Sequence, residues 1–275
     1  LPRTRNGKGT LIDIPLFGIR RYGFGNVVAL VVSLGEFGIL FVLPLWLQSV
    51  AGLDPLTTGA LIAFLAVGTL LAGGAARGVS ARLGATQVVR LGMILEIIGI
   101  IGIGWGFSTT RSPWWLVIPL MIYGAGLGFA SAQLTNVVLA DVPLEKSGQA
   151  SAMTSTFRQV GSALGAAILG AVLFTGLGDD LGKKLDDLPG VSTPQAEQIV
   201  NSVQGSAGQA IVAMEKNPAF APIVEDAKAA YTDSAKLTAL VAAIFVFFGL
   251  MASLGLPKDS VADDTSAAED LPVAG

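Results

Sequence analysis

The sequence contains no cysteine and no histidine, and only 13% of its residues are charged. Without cysteine there can be no disulfide, no thiol nucleophile and no thiolate zinc site. Without histidine there is no imidazole proton relay, no haem ligation through imidazole and no histidine-based triad. A metal site would be left with carboxylates and carbonyls, and no group of acids has the spacing of such a site. Neither a metal nor a cofactor is therefore expected. The 17 basic and 20 acidic residues give a net charge of −3, and no basic block offers nucleic acid a footing. The charged share is about half the roughly 25% of a soluble domain, whereas 52% of residues are hydrophobic. This is the composition of an integral membrane protein.

What is present is a series of long apolar runs. Six segments reach the about 20 residues that a helix needs to cross a bilayer, at roughly 25–49, 56–76, 86–107, 114–139, 148–175 and 235–256. Lipid cannot pair the amides of an open strand, so these segments must be helices. The expected fold is all-α: a bundle of six transmembrane helices over 25–256, a cytoplasmic segment 1–24 before it and a disordered cytoplasmic tail 257–275 after it. The connections are short except for the loop 176–234, where surface helices are expected at "TPQAEQIVNSV" and "FAPIVEDAKAAYTDSAK", the second running into the last span. Glycines at helical spacing (Gly99 and Gly102, Gly124 and Gly128, Gly161 and Gly165) predict close contact between helices. The chain starts at Leu1, and "LPRTRNGKGT" has no signal-peptide pattern. It reads as a piece of a longer protein.

Orientation follows from two independent chemistries. Arg3, Arg5, Lys8, Arg20, Arg21, Arg77, Arg82 and Arg90 flank one set of helix ends, while the opposite turns carry only Arg111. Basic residues favour the cytoplasm, which puts both ends of the segment inside the plasma membrane and the 176–234 loop outside. Trp46, Trp105, Trp114 and Trp115 fall at the outer ends, where an aromatic belt would lie.

Three ionisable residues lie deep in the spans: Glu36 in the first, Glu96 in the third and Arg158 in the fifth. About ten residues at 1.5 Å each place them roughly 15 Å from the cytoplasmic end, near the middle of a ~30 Å hydrocarbon core. Groups at that depth face a cavity or pair with one another. In one reading Arg158 is a structural counter-ion. In the other, a carboxylate exchanges protons and the arginine responds to its charge, because burial and a neighbouring guanidinium act in opposite senses on the carboxyl proton. Glu36, beside Ser33, Gly35 and Gly38 with Pro44 further out, has room for the second role. Glu96 lies among bulky neighbours in "MILEIIGIIGIG" and would be explained by a basic partner on an adjacent helix. Gln133 and Gln159, with Phe37, Phe41 and Phe129, are the further candidates to line a passage.

Several strings in order carry a resemblance: "IPLFGIRRYGFGN", "LFVLPLWLQSVAGLDPLTTG" and "WWLVIPLMIYGAGLGFASAQLTNVVLADVPLEKSGQASAMTSTFRQVGSALGAAILG". Together they resemble the carboxy-terminal half of the fourteen-helix drug/proton antiporters of the major facilitator superfamily, of the actinobacterial multidrug and actinorhodin exporter type. The resemblance implies one six-helix half-bundle whose amino-terminal half is missing. It implies that the first and fourth helices, with Glu36 and Gln133, face a central cavity. The fifth, with Arg158 and Gln159, would lie at the seam between halves, and the third, with Glu96, would be peripheral. The turn "RGVSARLGATQVV" resembles the family's cytoplasmic gating turn. Arg82 and Gly84 match it, but Ala81 replaces the aspartate of the usual acid–arginine pair, and topology remains the other reading of Arg82.

The reading is a membrane transporter fragment, not an enzyme, that moves amphipathic or cationic organic compounds outward against protons. Glu36 would be the coupling group, Arg158 its partner, and the lipid bilayer and the missing half its surroundings. Two rivals stay open: a non-transporting membrane scaffold subunit, and an importer of a small anionic metabolite held by Arg158. An intramembrane enzyme has little support, since Lys236 is at a helix end and no acidic pair shares one helix face.

Overall fold

The computed structural model describes residues 14–256. Residues 1–13 and 257–275, and with them the expected disordered tail and Arg3, Arg5 and Lys8, lie outside the described residues. Among the described residues every regular element is a helix. Six are long and apolar enough to cross a membrane. They are α1 (Arg20–Ser49), α2 (Pro55–Leu83), α3 (Ala85–Gly106), α4 (Val117–Leu139), α5 (Ser147–Asp186) and, after the shorter α6 (Thr193–Gly205) and α7 (Gln209–Met214), α8 (Ala221–Ser253).

The helix ends follow local chemistry. The Asp54 carboxylate accepts from the amides of Leu56 and Thr57 at 2.9 and 3.1 Å, and Pro55 occupies the first position of α2. That is the N-cap and first-turn proline of a helix start. Gly84 alone joins α2 to α3, at φ 85° and ψ 149°, a backbone region closed to residues with a Cβ. Arg90 closes the far end of α8 by donating to the carbonyls of Ser253 (2.9 Å) and Leu256 (3.4 Å), which a helix leaves unpaired.

Packing gives the bundle an internal repeat. α1 packs against α5 and α8 as α4 packs against α2 and α3, and α3 meets α8. Moving each span three places along the order of six returns the same neighbours, the pattern of nested three-helix repeats. The spaced glycines make these contacts. Gly161 and Gly165 press on the Leu30 and Leu34 carbonyls of α1, Gly124 and Gly128 on the Leu65 and Thr69 carbonyls of α2, and Gly99 on Tyr123. A Cβ at any of them would meet backbone or side-chain atoms at less than van der Waals distance.

Three expectations need correction. The helix expected to stop near residue 175 continues to Asp186, because Leu177, Leu181 and Leu185 form a buried stripe extending its apolar face. Trp46 does not stand in an aromatic belt: it is fully buried, stacks on Phe107 and donates its indole N–H to Thr232 of α8 at 3.1 Å. Trp105, Trp114 and Trp115 are exposed as expected. Finally, Gly35 and Gly38 leave no open room beside Glu36; Val246 and Leu169 fill the space above them.

Candidate functional site

The deep charges converge on the face where α1, α4 and α5 meet. α1 places Glu36 inward, 3% exposed. α5 sends Arg158 back over it, so that Nη2 stands 3.9 Å from Glu36 Oε2 and donates to Ser131 Oγ of α4 at 3.3 Å. The first separation is an ion pair without a hydrogen bond, and Glu36 Oε2 has no hydrogen-bond partner. The Arg158 side chain keeps 29% of its surface accessible, against 4% for that of Glu36. The arginine therefore covers the carboxylate on the open side of the bundle.

Behind this pair lies a second acid. Glu96 of α3 is fully buried, and neither carboxylate oxygen has a hydrogen-bond partner. It is within Coulombic reach of both Glu36 and Arg158. On a helix that the resemblance implied to be peripheral, Glu96 is turned into the bundle. α3 shows Ile94, Ile98 and Ile101 outward but turns Glu96 in, and Gly126 of α4 supplies the space, since a Cβ there would lie 2.8 Å from Glu96 Cγ. The expected basic neighbour on an adjacent helix makes no hydrogen bond to it. Tyr123, which sequence reasoning did not single out, fills the gap between the helices. It is fully buried and donates its hydroxyl to the Glu36 carbonyl at 3.0 Å. A tyrosine in the middle of a span was the available signal, because a buried phenol needs a partner.

The other predicted residues divide. Gln133 is buried and accepts from Asn136 at 3.5 Å, a contact at the limit of a hydrogen bond. Gln159, Phe37 and Phe41 are exposed on the open sides of α5 and α1. Arg82 is exposed beside the Gly84 turn. Among the described residues no group of three or more acids could hold a metal. Arg21 reaches Asp141 at 3.4 Å, joining the start of α1 to the end of α4. Within α8, Lys236 pairs with Asp233 at 3.2 Å and both are exposed.

Residues 6–166 match the Major Facilitator Superfamily. The chain belongs to the major facilitator superfamily. It is 33% identical over 194 residues to a "Probable actinorhodin transporter" of Streptomyces coelicolor, covering 68% of this chain and 33% of that one. It is 27% identical over 246 residues to the "Multidrug efflux pump LfrA" of Mycolicibacterium smegmatis, covering 89% and 47%. To the "Riboflavin transporter RibZ" of Clostridioides difficile it is 29% identical over 159 residues, covering 58% and 34%. The chain thus spans between a third and a half of the length of these relatives. In this superfamily member the match takes in α1 to α4 and the part of α5 that carries Arg158.

Proposed function

We propose that this chain forms one wall of a proton-coupled exporter of amphipathic or cationic organic compounds, with Glu36 as the group on which proton and substrate compete. The observation that carries the reading is the loose Glu36–Arg158 pair: a buried carboxylate 3.9 Å from a half-covered guanidinium, with one oxygen left unpartnered. A proton arriving at Glu36 cancels its charge and releases Arg158 toward Ser131 and the open face. A cationic substrate is favoured while Glu36 is charged and repelled when only Arg158 remains charged. The two cargoes thereby exclude one another, as exchange requires.

Two further features support this reading. The faces of α2 and α5 expose Leu70, Leu71, Leu164 and Ile168, an apolar surface suited to a second six-helix bundle, against which this one would rock. That bundle is the amino-terminal half, placed upstream in the complete protein, with both ends of this segment cytoplasmic and the membrane the plasma membrane. The name of the actinorhodin relative points to an organic substrate, and that of the multidrug efflux relative to outward movement. Gln133 and Gln159, with Phe37 and Phe41, would supply polar and aromatic contacts along the passage, and Glu96 a second, more deeply buried carboxyl behind Glu36. Import of an anionic metabolite on Arg158 is the second reading, favoured by the accessible part of its guanidinium.

Full-length protein in proteoliposomes, loaded with a lipophilic cationic dye under opposed pH gradients, tests this. The wild type should move dye against the proton gradient, and Glu36→Gln should lose at least about ten-fold of that pH-dependent rate, the scale expected for removing an essential proton carrier. Unchanged pH-dependent efflux in Glu36→Gln overturns the proton role. Accumulation of an anionic flavin in the inward direction would favour the second reading.

A further inference from the structure

At the end of the bundle away from the Gly84 turn, α3 and α4 part around a groove of about 240 Å³. It runs from Trp105 and Trp115 at its mouth down to Ile98, with Gly102 and Pro119 as its floor. Ile98 is two residues from Glu96, so about 200° of helical rotation separates them. The groove therefore opens to the side of α3 opposite the buried charges. At its mouth the Arg111 guanidinium lies 5.4 Å from the ring centroid of Trp105 and 5.4 Å from that of Trp115. The loop holding it is fixed by Ser108, whose hydroxyl accepts from the Thr110 amide at 3.3 Å, and by the Trp115 amide donating to the Ser112 carbonyl at 3.2 Å. Among the described residues no carboxylate lies within ion-pair distance of Arg111.

We propose that this groove is a binding site for one anionic phospholipid, its phosphate on Arg111 and one acyl chain against Ile98, Gly102 and Pro119. Several observations select that occupant. A guanidinium offers paired donors that match a phosphate, and here two indoles hold it by cation–π contact. Exposed tryptophans settle at headgroup depth, which sets Arg111 level with lipid phosphates. Ile98 lies seven residues from Trp105, about 10 Å deeper along the helix, where a lipid carries hydrocarbon. The volume falls below the roughly 300–1,000 Å³ of pockets that enclose drug-sized molecules, so it suits part of one chain. The site lies away from the α2 and α5 faces proposed to meet a second bundle, and its lipid exposure rests on that part of the proposed function.

Native mass spectrometry of the full-length protein, delipidated and titrated with phosphatidylglycerol, tests the proposal. Diacylglycerol, which has chains but no phosphate, and inorganic phosphate, which has no chains, serve as separate arms. Phosphatidylglycerol should give a saturable single-lipid adduct, and neither control should reach a tenth of its occupancy. Arg111→Gln should reduce that adduct about ten-fold, the effect of one lost charge-assisted contact, with helix content unchanged by circular dichroism. Gly102→Leu, which fills the groove and leaves the arginine, should reduce it as well. Equal phosphatidylglycerol binding by wild type and Arg111→Gln, or phosphate binding as strong as the lipid's, overturns the site.

Discussion

Arg158 Nη2 stands 3.9 Å from Glu36 Oε2 but 3.3 Å from Ser131 Oγ, so its hydrogen bond goes to the hydroxyl and its charge to the acid. A guanidinium divided in this way between two helices holds α5 to α4 whether or not Glu36 is charged. The pair can therefore change its protonation without the bundle losing its fastening.

Removing Arg158 should cost more stability while Glu36 keeps its carboxyl than after that carboxyl is gone. Arg158→Ala leaves a buried acid without its counter-charge and should lower unfolding free energy by about 2 kcal/mol, less than the roughly 3–5 kcal/mol of a fully enclosed pair because the arginine is part-exposed. The double variant Glu36→Gln/Arg158→Ala should recover most of that loss. Thermal unfolding in detergent reads both, and a double variant less stable than Arg158→Ala would refute the coupling.

The second acid should behave differently from the glycine beside it. Glu96→Gln keeps the size of the side chain and breaks no hydrogen bond, so the protein should fold as before. Gly126→Val drives a side chain into the Glu96 stem and into backbone of α3, with a cost of about 1–3 kcal/mol from overpacking. Comparing the unfolding temperatures of the two variants checks the order.

Close contact between α1 and α5 rests on Gly165. Gly165→Leu would meet the Leu34 backbone and should sharply lower the yield of folded protein, since small residues let membrane helices approach. Gly74→Ala is the control. No atom lies within contact of a Cβ there, so the change should be neutral or stabilise slightly through helix propensity. Equal yields of the two would remove the packing argument.

The cap of α2 predicts a pH dependence outside the membrane. Hydrogen bonds from the Thr57 hydroxyl and amide, then from the Leu56 amide, hold Asp54 below the usual carboxylate range. A depressed native value means that the stabilisation is present above the unfolded-state value, near 4, and is lost as pH falls through the lower native one. Asp54→Asn, which keeps a cap without the charge, should flatten that acid-side decline, while Asp54→Ala should lower stability at neutral pH also. Unfolding temperatures followed from pH 7 to pH 3 measure both.

The six spans and their glycine contacts were legible in the sequence because both depend on local patterns, an apolar run and a spacing of four. The Glu36–Arg158 pairing was legible from depth alone, since lipid leaves a buried charge few choices. Three things were not. Trp46 looked like a belt residue because helix-end position says nothing about which way a side chain turns; its partner Thr232 lies 186 residues away. The inward burial of Glu96 was not legible because the resemblance implied a peripheral helix for it, while the space it uses is made by Gly126 on another helix. Ser131 and Tyr123 entered the site through contacts across helices that no periodicity encodes.

The uninterrupted length of α5 carries one last implication. Its 40 residues extend about 60 Å, twice the ~30 Å hydrocarbon thickness, and α8 with 33 residues reaches about 50 Å. Both are rigid rods continuing past the lipid to the short helices α6 and α7. Such rods act as levers, magnifying a small tilt within the membrane into a larger sweep at their free ends. Spectroscopic labels placed near Asp186 would report such a tilt from the aqueous side, at a distance from Glu36 and Arg158.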